Sequence, residues 1–549
     1  MAKLQSANKP EEIDVAVVGG GVAGTYLCWR LKDAGGEREP VLFEMSDRIG
    51  GRLFSVDIPD MPDVKGELGG MRFLKTQCMV HSLAQHLKLD LIPFPMGGPA
   101  NIATLRGVRI RNAAFEYPQV VPYRLQPGEQ GLSPGDLLVK AIKTVIPCAT
   151  TLKPKEWEAV KQTHMWNGDY LYNWGLWNVL LSTNYTASGS PPVLSSEAYG
   201  LLYDGGGYQS LVDNWNCAEA FQYLLVDFPK DATYVRLKGG FQSLPEKLEQ
   251  KFSGAGGRVH MDHELLTFTP AKDGAWVDLD FLDRSDGKPP AQRRYRAKAL
   301  VLAMPQRALQ IVAERTPVLQ TDPVQDLLKS VAPMPAYKAL VAYHTPWWQQ
   351  LGITAGRSTT DLPIRQVYYM DTATMPKGNT NSLMLATYAD GRTDTFWSPL
   401  WQGDKAAKKF PLRASAIGRL ALHSLSQRQI AALAPKDFTE TLHALTAQMH
   451  QLPPSAIPEP YVAMARDWTA DPFGAGWHFW RAGIKVWDRL PRLRQPIDGL
   501  PVHICGEAFT NQQGWVEGAL VSAEHVARKH FGIGAPPAWL NPQDYFMGP

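Results

Sequence analysis

Apolar residues along this chain follow two rhythms, one that fits buried strands and one that fits helices. Ile13-Asp14-Val15-Ala16-Val17-Val18 is a short, β-branched run of the kind buried on both faces of a parallel sheet. Glycines follow, and then Thr25–Ala34 spaces its apolar residues at helical intervals until Gly35-Gly36 stops it. Pro40–Glu44 reads as the next strand. Strand, turn, helix and strand therefore fit within about thirty residues, the size of one βαβ unit. Two later stretches resemble this one. Between Gly239 and Ala303 the pattern predicts a helix over Gly239–Phe252 and a glycine turn at Gly254–Gly257, then strands at Val259–Met261 and Ala299–Ala303. Near the end, Val502–Cys505 reads as a strand and Val516–His530 as a helix. Residues 125–235, rich in Trp, Tyr and Pro, read mainly as helices and loops. Ala339–Tyr343, Gln366–Tyr369 and Ser382–Leu385 alternate as strands do. No internal repeat is evident. The expectation is one folding unit assembled from distant pieces, with two inserted units.

Composition narrows the class of protein. The chain has 549 residues, 44% apolar and 20% charged, an ordinary globular balance with ample length for a core. Lys and Arg number 56 against 53 Asp and Glu, so the net charge of +3 argues against a nucleic-acid or membrane-surface partner. Cys28, Cys78, Cys148, Cys217 and Cys505 form no CxxC pair, which excludes a zinc ribbon or thiol redox motif and suits a reducing compartment. No apolar run of membrane-spanning length occurs, and no secretory-type stretch opens the sequence, so a cytoplasmic protein is expected. H-E-x-x-H is missing. His81/His86 and His525/His530 are spaced by five, off the metal-binding i,i+4 face, and read as surface or capping residues.

Gly19-Gly20-Gly21-Val22-Ala23-Gly24 is G-x-G-x-x-G, directly after a strand and before a helix. The first glycine permits a tight turn, the second close approach of a pyrophosphate, and the third helix-on-strand packing. The helix N-terminus then offers N–H groups and partial positive charge to phosphates. Glu44, 20 residues after Gly24, ends the second strand, where a carboxylate can accept ribose hydroxyls. This is a dinucleotide site, with nicotinamide and flavin both open. Arg48-Ile49-Gly50-Gly51-Arg52-Leu53-Phe54-Ser55 then places two arginines around a glycine pair, a second cationic element beside the first.

That R-x-G-G-R-x-x-S string resembles the signature of the flavin amine oxidase family, and the resemblance continues through Gly506-Glu507 and Gly514-Trp515-Val516-Glu517-Gly518-Ala519. It implies an α/β fold in which a Rossmann-like FAD-binding domain is built from discontinuous segments, 11–75, 236–332 and 488–535. A mixed-sheet substrate domain would take 76–125 and 333–487, and a helical insertion 126–235. Non-covalent FAD is implied, held by Gly19, Gly21, Val22, Ala23, Gly24, Glu44, Met45, Gly51, Arg52, Gly70, Met71, Arg72, Leu265, Glu507, Gly514, Trp515 and Val516. Leu265 falls where the family holds adenine by backbone, and Glu507 where an acid binds the ribityl chain. Lys338 aligns with the active-site lysine that holds a water beside flavin N5. A homodimer is expected from the family alone.

Within that family the chain is most similar to the L-amino-acid oxidases and tryptophan 2-monooxygenases. Gly69-Gly70-Met71-Arg72-Phe73 resembles their G-A-M-R-[IF] string, whose arginine clamps the substrate carboxylate. A guanidinium fork suits that task through two parallel, charge-assisted bonds. Ser358–Pro363 also resembles a stretch of the amino-acid oxidases, and Tyr388 matches a tyrosine that shares the carboxylate. By the same resemblance the Gly476 carbonyl takes the substrate amine and Trp477 walls the site. No histidine lies between His164 and His260, where some relatives carry a proposed catalytic histidine. The implied reaction moves a hydride from Cα of an L-amino acid to flavin N5, giving a 2-oxo acid, ammonia and, with O2, hydrogen peroxide. The alternatives are an amino-acid 2-monooxygenase, a flavin dehydrogenase with another acceptor, and a flavin-bearing scaffold in which Arg72 and Lys338 would be unnecessary.

Overall fold

The structure is a computed structural model describing residues 9–35, 38–184, 191–227, 232–271, 274–285, 289–402, 435–541 and 547–548. Its first sheet draws on three distant regions of the chain. Five parallel strands lie in the order Arg258–His260, Pro40–Phe43, Glu11–Val18, Ala291–Leu302 and Val502–Ile504. Their register brings His260, Phe43, Val18, Leu302 and Ile504 to one edge, so all five carboxyl ends open on the same side. In open α/β sheets that side receives ligands. One face is covered by helices Val22–Asp33, Ser243–Gly254 and Val516–His530, through Tyr26, Leu248 and Val521 among others. The first and last of these are also tied by a buried Arg30–Glu524 ion pair at 3.1 Å.

Ala291–Leu302 is longer than its apolar core suggested. Ala299–Leu302 is buried on both faces, whereas Gln292–Arg294 is exposed and pairs antiparallel with Val277–Asp283. Cross-strand ion pairs Arg293–Asp283, Arg294–Asp280 and Arg296–Asp278 hold that half. The strand therefore changes partner midway along one edge, from Val277–Asp283 to Val502–Ile504.

The second seven-stranded sheet is ordered Val462–Asp467, Ala336–Tyr343, Ser382–Asp390, Gln366–Thr372, Gly356–Thr360, Ile102–Leu105 and Val108–Arg111. Its pairings are antiparallel except between Gly356–Thr360 and Ile102–Leu105. Between residues 134 and 227 the chain forms helices, including Pro134–Val145, Ser196–Gly206 and Cys217–Asp227, around a core of Leu138, Leu201 and Phe221. One histidine reading is corrected. His525 is buried with Nε2 against the Met547 carbonyl, and His530 packs on His503, so neither is a free surface residue.

Candidate active site

The glycine turn follows from close contacts at the strand ends. Gly19 has φ +119°, and a Cβ there would stand 2.3 Å from the Ala303 carbonyl oxygen. A Cβ on Gly24 would stand 2.0 Å from the Gly19 carbonyl oxygen, so only glycine lets this helix sit on this strand. Gly50 N–H donates to the Gly20 carbonyl at 2.9 Å, which stacks the second glycine pair on the first. Helix Val22–Asp33 starts at Gly21 with no side-chain cap and no acid in its first turn. Helix Val516–His530 likewise starts without a side-chain cap, at Trp515. Helix starts leave N–H groups that an anion satisfies, so the start of Val22–Asp33 fits the phosphates of a dinucleotide, while Val516–His530 carries Glu517 in its first turn.

Two carboxylates are held by donors of the protein itself. Glu44 accepts from Gly20 N–H at 2.6 Å with one oxygen, and from Ser46 N–H and Oγ with the other. It closes the glycine turn. Glu507 accepts from Arg52 Nη1 (2.7 Å), His478 Nδ1 (2.9 Å), His478 N–H (2.9 Å) and Gly514 N–H (2.7 Å). Burial pushes its pKa up, but Arg52, His478 and the Gly514 N–H outweigh that and hold it at about 2. Its carboxylate is committed to joining three segments of protein. The Arg48 guanidinium turns inward onto the Leu53 and Gly51 carbonyls and braces the loop. Arg52 alone of the pair reaches the cavity.

The cavity lies between the second sheet, the helical unit and the segments that carry Arg52, Arg72, Trp477 and Trp515. Of the residues singled out in the sequence, Arg52, Gly70, Met71, Arg72, Lys338, Tyr388, Gly476, Trp477, Gly514, Trp515 and Val516 line it. Leu265 lies elsewhere, at a bulge in strand His263–Pro270. Lys338 is 4% exposed; its Nζ donates to the Gly69 carbonyl at 2.5 Å and sits 4.7 Å over the Tyr388 ring, from the neighbouring strand. Burial pushes its pKa down, the Glu67 carboxylate opposes this, Arg72 adds to it, and the result is about 7. Gly476 offers its carbonyl to Arg52 Nη1 at 3.1 Å, so Arg52 competes for the oxygen assigned to a substrate amine. Trp477 stacks on Tyr223 with the rings 5° from parallel.

Arg72 is 7% exposed in a cage of aromatic rings. Its Nη atoms donate to Tyr368 and Tyr208 hydroxyls, each at 3.3 Å, and its guanidinium lies 4.8 Å from the Tyr234 ring centre. Nε finds no acceptor among the described residues. Asp227 Oδ1 stands 3.9 Å from Nη2. Tyr388, on the same cavity, meets Tyr208 edge-on.

The family model described as flavin-containing amine oxidoreductase matches residues 23–136 and 187–529. This chain belongs to the flavin-containing amine oxidoreductases. It is 24% identical to aplysianin-A of Aplysia kurodai over 98% of this chain and 94% of that one. Achacin of Lissachatina fulica is 25% identical over 94% and 93%. The L-amino-acid oxidase of Mus musculus is 26% identical over 70% of this chain and 55% of its own length. A putrescine oxidase double mutant shares the fold with TM-score 0.62 at 17% identity, covering 95% of this chain and 99% of that one.

In this flavin-containing amine oxidoreductase the sequence did not single out Tyr208, Tyr223, Asp227 or Trp215 as site residues. All four come from the helical unit, where no local string marks a site. Among the described residues no group of three His, Cys, Asp or Glu is placed to hold a metal, and no helix is long and apolar enough to cross a membrane.

Proposed function

We propose that the chain is an FAD-dependent L-amino-acid oxidase, and the observation that carries this reading is Arg72. A guanidinium buried among tyrosines, with Nε unpartnered among the described residues and Lys338 in the same cavity, suits a substrate carboxylate. A plain amine gives such an arginine nothing to hold. The relatives named L-amino-acid oxidases support the same substrate class. Bound FAD would supply the two-electron acceptor and pass its electrons to O2. Arg72 fixes the carboxylate and so the direction of the Cα–H bond, an orientation able to lower the barrier by several kcal/mol. Lys338, with a pKa near 7, holds or releases a proton at Nζ beside the reacting atoms. The amino acid, O2 and water then give the 2-oxo acid, ammonia and hydrogen peroxide.

Arg72→Ala tests this directly. It should lose charge-assisted bonds worth ~1.5–3 kcal/mol each, visible both in the flavin reduction rate and in apparent substrate binding. Arg72→Lys should recover only part, because an ammonium lacks the planar fork. The decarboxylated amine of the best amino acid should be a poor substrate for the parent enzyme. Parental rates in Arg72→Ala, or a parent that prefers the amine, would make the protein an amine oxidase of another kind.

A further inference from the structure

The charged groups around the cavity fall into pairs. Arg52 is held by Glu507 at 2.7 Å, Lys338 interacts with the buried Glu67 carboxylate, and Arg72 stands 3.9 Å from Asp227. Glu507 and Glu67 stay behind the wall. Asp227 differs, because it is the one carboxylate among the described residues that lines the cavity itself. Helix Cys217–Asp227 delivers it at its last residue, and the Tyr234 hydroxyl donates to Oδ1 and fixes it there.

Charge counting then constrains the ligand. Each cation that lines the cavity is thus matched by a carboxylate, which leaves no spare positive charge among them. A substrate whose carboxylate is on Arg72 must present a neutral α-amine at the moment of reaction, since an ammonium has no lone pair to assist hydride loss. Such a substrate brings one net negative charge into a buried space already balanced. Burying an unpaired charge is costly, and a carboxylate beside Asp227 makes it worse. A cation on the substrate's side chain restores the balance, and Asp227 is the group placed to receive it. Tyr223 and Trp215 line the same cavity.

We propose that Asp227 selects L-amino acids with a cationic side chain, its carboxylate taking that cation while Arg72 holds the α-carboxylate. This rests on the amino-acid reading above. The test is anaerobic flavin reduction of the holoenzyme by L-lysine, L-ornithine and L-arginine, against L-norleucine as the uncharged near-isostere of lysine. The best cationic substrate should exceed norleucine by about tenfold or more in the second-order reduction constant. Asp227→Asn keeps the volume and an acceptor for Tyr234 but removes the charge, so that ratio should fall toward one. A parent that reduces as well with norleucine as with lysine overturns the proposal while leaving amino-acid oxidation standing. An unchanged ratio in Asp227→Asn does the same and assigns Asp227 to bracing Arg72 alone. If that variant does not fold, the parental ratio decides by itself. No reduction by any L-amino acid overturns both readings.

Discussion

A lysine with 4% of its surface exposed is ordinarily a liability, since its ammonium loses water. Lys338 meets this by titrating near 7, under burial that lowers its pKa, Glu67 that raises it and Arg72 that lowers it again. Lys338→Met should keep the flavin yet slow one or both half-reactions in stopped-flow traces. Traces identical to the parent at every pH would remove Lys338 from the chemistry. Glu517 allows a separate test of burial. Its carboxyl accepts from Met79 and Val80 N–H groups, and burial outweighs both and pushes it up to about 7 from 4.5. The folded protein then keeps a proton that the unfolded chain has shed, so its contribution is full below 4.5 and is lost as pH rises through 7. Glu517→Gln lacks that slope. Its melting temperature should gain on the parent's between about pH 5 and about pH 8, and a constant difference would refute the assignment. Arg72 and Lys338 could be found in the sequence because each sits in a short distinctive string. Asp227 could not, because an acid among helices is usually a solvated residue, and only folding sets it beside an arginine 155 positions earlier.

Elements show the same division. Strand Glu11–Val18, helix Val22–Asp33 and helix Val516–His530 were legible because burial on one or both faces imposes a clean period. The outer half of Ala291–Leu302 was not, because its arginines face solvent and are held by aspartates of another strand. The four donors to Glu507 were not legible, since they come from segments that sequence cannot juxtapose. The glycine turn predicts its own failure. A methyl at Gly24 meets the Gly19 carbonyl oxygen at 2.0 Å, so Gly24→Ala must push the helix off its strand. Overpacking of this kind costs about 1–3 kcal/mol. The same displacement moves the helix start that suits phosphate, so the purified variant should show a reduced flavin-to-protein absorbance ratio. A full complement of flavin in Gly24→Ala would contradict this packing argument.

At the scale of the whole molecule, the cavity and glycine turn gather residues from near position 20 to near position 516, so a bound flavin should act as a clasp. At about a hundredfold excess over Kd such a ligand adds about 2.7 kcal/mol of stability. Flavin-stripped protein should therefore melt lower and recover on adding FAD, and the colour should leave the chain on denaturation. Equal melting with and without FAD, or colour that stays with the denatured chain, would contradict this. The strand that changes partner has a consequence for biosynthesis. Leu300–Leu302 has its outer edge sealed by Val502–Ile504, a segment about 200 residues further along the chain. At about 5–20 residues per second, roughly 10–40 s of translation separate the two. Through that interval the nascent sheet exposes an apolar, hydrogen-bond-hungry border, the kind of surface on which neighbouring chains associate. The last strand among the described residues is thus the one that covers an edge left bare since mid-synthesis.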